Sequence, residues 1–262
     1  MIRSLFRKAA NFTARRSYIG PPGKRLYAVG DIHGRLDLLN NLLRQIADDL
    51  RARPVAMGTA TIVFLGDLID RGPDSAGVIE RISTLDDVPA RALLLLGNHE
   101  EILLRVLDAE PGLAYDWLGF GGDACAESYG LSATAMKAMS EARIAETLRA
   151  AIPPAHVAFL RSGGDTISFG DYLLVHAGIR PGIAIEDQQS HDLRWIRQPF
   201  LSDTHDHGCF VIHGHTVTEG VDRRANRVGI DTGAYRTGIL TAAIVEDDEL
   251  AFIDTTFDAH RS

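Results

Sequence analysis

Five separated stretches of the chain place side chains able to ligate metal or move protons just where an apolar run stops. They hold Asp31 and His33; Asp67, Asp70 and Arg71; Asn98, His99 and Glu100; His176; and His215. Carboxylate, amide and imidazole together make a mixed oxygen and nitrogen ligand set, which suits Mn2+, Fe or Zn2+ better than Ca2+. Asp31 and His33 are separated by one residue, so on an extended strand end both face the same side and can share a cation. Any one cluster alone has a plain structural reading: a lone histidine is usually a satisfied core residue, and Asn98-His99-Glu100 could simply cap a helix that begins near Glu100. Five clusters at successive strand ends point instead to a metal centre.

The elements that must assemble these clusters are marked by hydropathy. Arg25–Val29, residues 61–65 and residues 92–96 read as strands, each stopped by glycine and polar residues and each followed by a helix. The first helix carries Leu36, Leu39, Leu42, Leu43, Ile46 and Leu50 at three-to-four spacing and ends before Pro54. The second starts at about Asp74 with Val78, Ile79 and Ile82 on one face, and the third shows Ile102, Leu103 and Val106. This β-α-β-α-β-α run predicts parallel strands with their polar clusters at one sheet edge. Residues 107–160 predict a mostly helical insert, in which Trp117, Phe120 and Tyr129 pack as core; substrate contact by these aromatics is the second reading. From Asp165 the pattern changes. Residues 166–169 and 172–175 form a hairpin about Gly170-Asp171 that ends at His176. Residues 209–212 end at His213-Gly214-His215. Residues 227–230 and 239–245 follow, with Asp231-Thr232-Gly233 as the turn between them. The expected second half is an antiparallel-rich sheet, giving an α/β fold of two sheets face to face with helices outside.

A hydrophobic content of 45% and 24% charged residues fit an ordinary soluble globular protein. The net charge of −8 excludes a general nucleic-acid binder, which needs basic surface to displace counterions. Residues 1–25 hold seven Lys and Arg and no acid, so that segment is +7 and the rest is −15. Residues 1–24 are accordingly expected to be a flexible basic extension ending in Gly20-Pro21-Pro22-Gly23, and 25–262 the catalytic domain. A weaker reading puts Ile2, Leu5, Phe6, Ala9 and Phe12 on an amphipathic helix, so that residues 1–20 contact an anionic membrane surface. Cys125 and Cys209 are too few and too far apart for a disulfide framework. No run approaches the ~20 apolar residues of a membrane helix, and no apolar secretory core is present, so a cytoplasmic location is expected.

In order, Gly30-Asp31-x-His33-Gly34, Gly66-Asp67-x-x-Asp70-Arg71-Gly72, Gly97-Asn98-His99-Glu100, His176-Ala177-Gly178 and Gly214-His215 resemble the motifs of the phosphoprotein phosphatase branch of the calcineurin-like metallophosphoesterases, and within it the bacterial serine/threonine phosphatases. The match spans residues 26–240. The resemblance implies a four-layer α/β/β/α sandwich of two mixed sheets flanked by helices, and two divalent metal ions, Mn2+ first, with Fe and Zn2+ the other candidates. By it, one ion is held by Asp31, His33 and Asp67, and the other by Asp67, Asn98, His176 and His215. A bridging carboxylate can hold two cations ~3.5–4 Å apart, and a hydroxide shared between them attacks phosphorus in line. The resemblance further makes His99 the general acid, oriented by Asp70, and Arg71, Arg197 and Asn98 the phosphate contacts. His213 is expected to support the site without ligating. Arg35, Arg180 and Arg236 read as surface ion pairs. Two departures stand out: Leu96, where many relatives have arginine, and Thr216-Val217, where the broader family has a second histidine. The expected activity is hydrolysis of phosphate monoesters, phosphoserine and phosphothreonine on proteins or small phosphoesters, without nucleic-acid partners. The alternatives are a symmetrical dinucleoside tetraphosphatase and an inactive phosphatase-fold binding protein.

Overall fold

A computed structural model describes residues 17–258. Strand β1 (Arg25–Val29) leads into helix α1 (Leu36–Ala52), β2 (Ala60–Phe64) into α2 (Ser75–Ser83), and β3 (Arg91–Leu94) into α3 (Asn98–Leu107). The helical region follows as α4 (Ala114–Trp117), a π-helical turn (Leu118–Gly122), α5 (Asp123–Ser128), α6 (Ala133–Met136), α7 (Glu141–Ala151) and α8 (Pro154–Arg161). Then come β4 (Thr166–Phe169), β5 (Tyr172–Val175), α9 (Ser190–Trp195), β6 (Phe210–His213), β7 (Asp222–Arg223), β8 (Arg227–Gly229), α10 (Ala234–Thr237), β9 (Thr241–Glu246) and β10 (Glu249–Asp254).

The strands build two five-stranded mixed sheets, ordered β10-β9-β1-β2-β3 and β4-β5-β6-β8-β7. This is the expected sandwich. In the first sheet β1, β2 and β3 run parallel, with Val29 opposite Phe64 and Phe64 opposite Leu94. That register sets the glycine-led segments after the three strands side by side at one edge. In the second sheet β5, β6 and β8 are also parallel, with Leu174 opposite Ile212 and His213 opposite Gly229. His176, His215 and Asp231 therefore leave from a common edge too.

Alternation along each strand explains the layers. On β1, Tyr27 and Val29 pack beneath α1 with Leu39, Leu42, Leu43 and Ile46. Leu26 and Ala28 face the other sheet and meet Leu174, Phe210, Ile212 and Val228. A strand covered on both faces must be apolar throughout, which is why β1 and β2 read as continuous runs. The outer face of the second sheet is covered more thinly, by α9 and the segment around Phe200 over Leu173, Val175 and Val211.

Three expectations change. The second sheet has two antiparallel pairs, β4/β5 and β7/β8, and two parallel ones, so it is not antiparallel-rich. The segment 231–233 is not a hairpin turn: β8 lies in the second sheet and β9 pairs with β1 in the first, so the chain crosses between sheets there. The end of the basic extension is also anchored. Gly20 N donates to Asp247 O at 2.7 Å, Ile19 N to Asp171 Oδ2 at 2.9 Å, and Tyr18 packs against Phe210. The amphipathic-helix reading of residues 1–20 falls mainly on 1–16, outside the described residues. Among the described residues no helix is long and apolar enough to cross a membrane.

Candidate dimetal site

Asp67 lies at the centre. Its backbone carbonyl accepts from the N–H of Ile32 and of His33, which ties the segment after β2 to the one after β1. Its side-chain Oδ1 accepts from His99 N at 3.1 Å, tying it to the start of α3. A side chain at Gly97 would collide with that same Oδ1, so the close approach requires glycine there. Around the Asp67 carboxylate stand three imidazole Nε2 atoms: His176 at 3.4 Å, His33 at 3.6 Å and His99 at 3.9 Å. His33, Asp67 and His99 form one group able to hold a metal ion, and Asp67, His176 and His215 another, sharing Asp67.

Hydrogen bonds fix the tautomers. His33 Nδ1 donates to Ile69 O and His176 Nδ1 to Leu65 O, both at 2.8 Å, leaving each Nε2 lone pair turned inward. His215 Nε2 is buried and has no hydrogen-bond partner. Asn98 Oδ1 lies 3.1 Å from His176 Nε2, two acceptors side by side, an arrangement that a shared cation stabilises. Burial pushes His33 down to about 3, the Asp67 carboxylate only partly opposing it. Burial, with the neighbouring His176, takes His215 to about 3 as well. These are neutral imidazoles, the form that binds metal. Asp67 is held below the usual carboxylate range: burial alone would raise it, and the surrounding imidazoles outweigh that. The donor set thus fits two divalent cations.

Asp31 stands slightly apart from the groups so far described. Its carboxylate accepts from His215 N at 3.0 and 3.2 Å and lies beside Asp231 and Asp67. Burial first, then those two charges, pushes it well above the ordinary range. Asp231 is a site residue that sequence reasoning missed. It is buried beside Asp31, and burial raises it as well. Its signal was present, since Asp231-Thr232-Gly233 follows a buried strand as the other clusters do. Three buried carboxylates this close call for positive charge among them.

The His99 side chain leaves the first turn of α3, and its Nδ1 meets Asp70 Oδ2 at 2.6 Å. Burial would lower this imidazole, but Asp67 and Asp70 outweigh it and hold it above its ordinary value. Arg71 reaches His33 Nε2 with one guanidinium nitrogen and His99 Nε2 with the other, 2.9 Å each, and lies over the Tyr235 ring. Arg197 is exposed, and its charge helps depress His215. Glu100 does more than open the helix: its buried carboxylate accepts from the N–H groups of Gly97, Asp67 and Leu68 at 2.7–2.9 Å.

The remaining expectations resolve as follows. His213 faces away, with Arg227 at 3.2 Å and the Phe200 ring against its own. Leu96 is a core residue, packed near Gly163. Arg180 pairs with Asp192 at 2.6 Å through two nitrogens, and Arg35 pairs with Asp37. Arg236 is exposed beside Gly233, and among the described residues no ion pair is assigned to it.

Two mixed sheets with Asp and His groups gathered between their edges define a metallophosphoesterase, and the calcineurin-like phosphoesterase family model matches residues 24–236. The chain belongs to that family. Among curated proteins it resembles the asymmetrical bis(5'-nucleosyl)-tetraphosphatase PrpE of Bacillus velezensis, 26% identical over 254 residues, 89% of this chain and 94% of that one. A symmetrical bis(5'-nucleosyl)-tetraphosphatase of Dechloromonas aromatica is 33% identical over 155 residues, 59% of this chain but only 44% of that protein. A solved structure of a presumed diadenosine tetraphosphatase superposes with a TM-score of 0.61 at 22% identity, over 90% of this chain and 98% of the other, and shows the fold.

Proposed function

We propose that this metal-dependent phosphoesterase cleaves the phosphoanhydride chain of bis(5'-nucleosyl) tetraphosphates. The observation that carries the chemistry is the convergence of inward-facing imidazole lone pairs on Asp67. What directs it to tetraphosphates is the nearly full-length likeness to the Bacillus velezensis protein. The expected phosphoprotein substrates gain no support from these relatives.

Asp31, His33 and Asp67 would hold one cation, and Asp67, Asn98, His176 and His215 the other. When bound, the ions supply Lewis acidity at phosphoryl oxygens and lower the pKa of a coordinated water. Arg71 brings a guanidinium fork that matches two phosphoryl oxygens. Because it already spans His33 and His99, the phosphate it grips lies beside both. In that contact His99 Nε2 is an acceptor; once the guanidinium turns to phosphate, the two flanking carboxylates favour a proton on Nε2. Asp70 holds the ring so that this proton faces the leaving oxygen. Arg197, exposed near His215, would meet phosphates further along the chain.

The test is a comparison of diadenosine tetraphosphate with a phosphoserine peptide at matched concentration in Mn2+. Faster nucleotide release is expected, as two ADP from symmetrical cleavage or ATP and AMP from asymmetrical cleavage. Peptide dephosphorylation with the dinucleotide left intact would contradict the proposal.

A further inference from the structure

The corner formed by Asp70 and Arg71 has a second support that the metal site does not explain. Asp70 is fully buried, and its Oδ2 is committed to His99, while its Oδ1 closes no hydrogen bond. Trp117 Nε1, also buried, closes no hydrogen bond either, and its indole ring packs against Gly122, next to the contact of Gly121 with Arg71. A buried donor and a buried acceptor with complementary needs thus lie within reach of one another. Cys125, on α5, lies beside the same carboxylate and the Ser75 hydroxyl, which itself accepts from Asp70 N at 2.9 Å. One residue on, Arg71 N donates to Gly121 O at 2.9 Å. Gly121 has φ +107°, a non-helical kink between α4 and α5, and a side chain there would meet Arg71 N and Cγ at 2.8 and 2.7 Å. Asp70 and Arg71 both adopt left-handed backbone, φ 71° and 68°. Non-glycine residues keep that conformation only where the surroundings enforce it.

We infer that the segment Ala114 to Ser128 is the positioning wall of the proton-donating corner, with Trp117 as the positioning residue that holds Asp70 toward His99 and Gly121 as the backbone stop for Arg71. This rests on the reading of His99 as proton donor. The helical region is thereby coupled to catalysis through the Asp70–Arg71 corner.

The test is a series of aryl phosphates from p-nitrophenyl to phenyl, hydrolysed in Mn2+ by wild type, W117F, H99A and the double variant, with metal content measured on each. Phenylalanine keeps the ring packing and removes only the donor. W117F should lose about tenfold more kcat on phenyl than on p-nitrophenyl phosphate, a part of the ~10²–10⁴-fold that a positioned general acid supplies. H99A should steepen the series further, and W117F should add nothing to it. Equal losses across the series, or none, in W117F beside a steepened H99A would overturn the positioning role while leaving the donor reading intact. A flat series in H99A would overturn both. Should W117F not fold, C125A removes the other group beside Asp70, and its loss should again grow with leaving-group pKa; a uniform loss would count against the inference. G121A should raise KM and weaken inhibition by inorganic phosphate more than it lowers kcat. Unchanged phosphate inhibition would overturn the Arg71 half.

Discussion

Five residues of the site, His33, Asp67, Asp70, Arg71 and His215, hold positive φ values between 46° and 71° without being glycine. Left-handed backbone costs ~1–2 kcal/mol per residue, so something must fix it. At Asp67 the fixture is Glu100, whose carboxylate gathers the N–H groups of Gly97, Asp67 and Leu68 into one turn. Glu100→Ala leaves these donors buried without an acceptor and should lower stability by about 3–5 kcal/mol, read from urea unfolding. Metal affinity should drop with it by about 10–100-fold, the usual effect of losing a group that orients ligands. Glu100→Gln, which retains one acceptor oxygen, should fall between. A loss under about 1 kcal/mol in the alanine variant would show that the turn holds itself. That Asn98-His99-Glu100 could cap a helix beginning near Glu100 was legible; the carboxylate's reach to the turn after β2 depends on neighbours 32 and 33 positions earlier and was not.

At the scale of elements, the parallel β1-β2-β3 edge was readable because each strand ends at a glycine-led polar cluster. Helix α1 matched its spacing, with Leu39, Leu42, Leu43, Ile46 and Leu50 buried. The destination of β9 was not readable. A turn-like Asp231-Thr232-Gly233 is equally compatible with a hairpin and with a crossing to the other sheet, and only the pairing of β9 with β1 decides. That ambiguity hid Asp231, which the crossing carries to Asp31. Trp117 was correctly expected in the core, whereas Phe120, expected there too, is exposed; core packing also says nothing of which buried polar atom the Trp117 N–H approaches. The C-terminus of α3 yields an independent check. Ala109 sits at φ 61° just past the helix, where Glu110 N donates to Arg105 O at 3.0 Å, the pattern in which glycine is favoured. Ala109→Gly should raise stability by about 0.5–1 kcal/mol, relief of left-handed strain exceeding the gain in unfolded-chain entropy. Thermal unfolding should shift upward by about 1–4 °C with turnover unchanged; a lower midpoint would mean that Ala109 packs in a way its conformation does not suggest.

For the whole molecule, the proposed ligands are divided between the two halves. Asp31, His33, Asp67 and Asn98 follow strands of the first sheet, and His176 and His215 follow strands of the second. His176 Nδ1 on Leu65 O already joins these edges, and cations held between them would join them further. Metal bound to the folded chain alone then adds stability in proportion to the logarithm of its concentration, ~2.7 kcal/mol at a hundredfold excess over Kd. The measurement that tests this most directly is equilibrium Mn2+ binding per chain, with diadenosine tetraphosphate turnover followed on the same samples, for wild type and Asp67→Ala. Two ions per wild-type chain, turnover that chelation abolishes and Mn2+ restores, and fewer ions with no turnover in Asp67→Ala are expected. Turnover by the fully chelated chain, or two ions retained in Asp67→Ala, would contradict it.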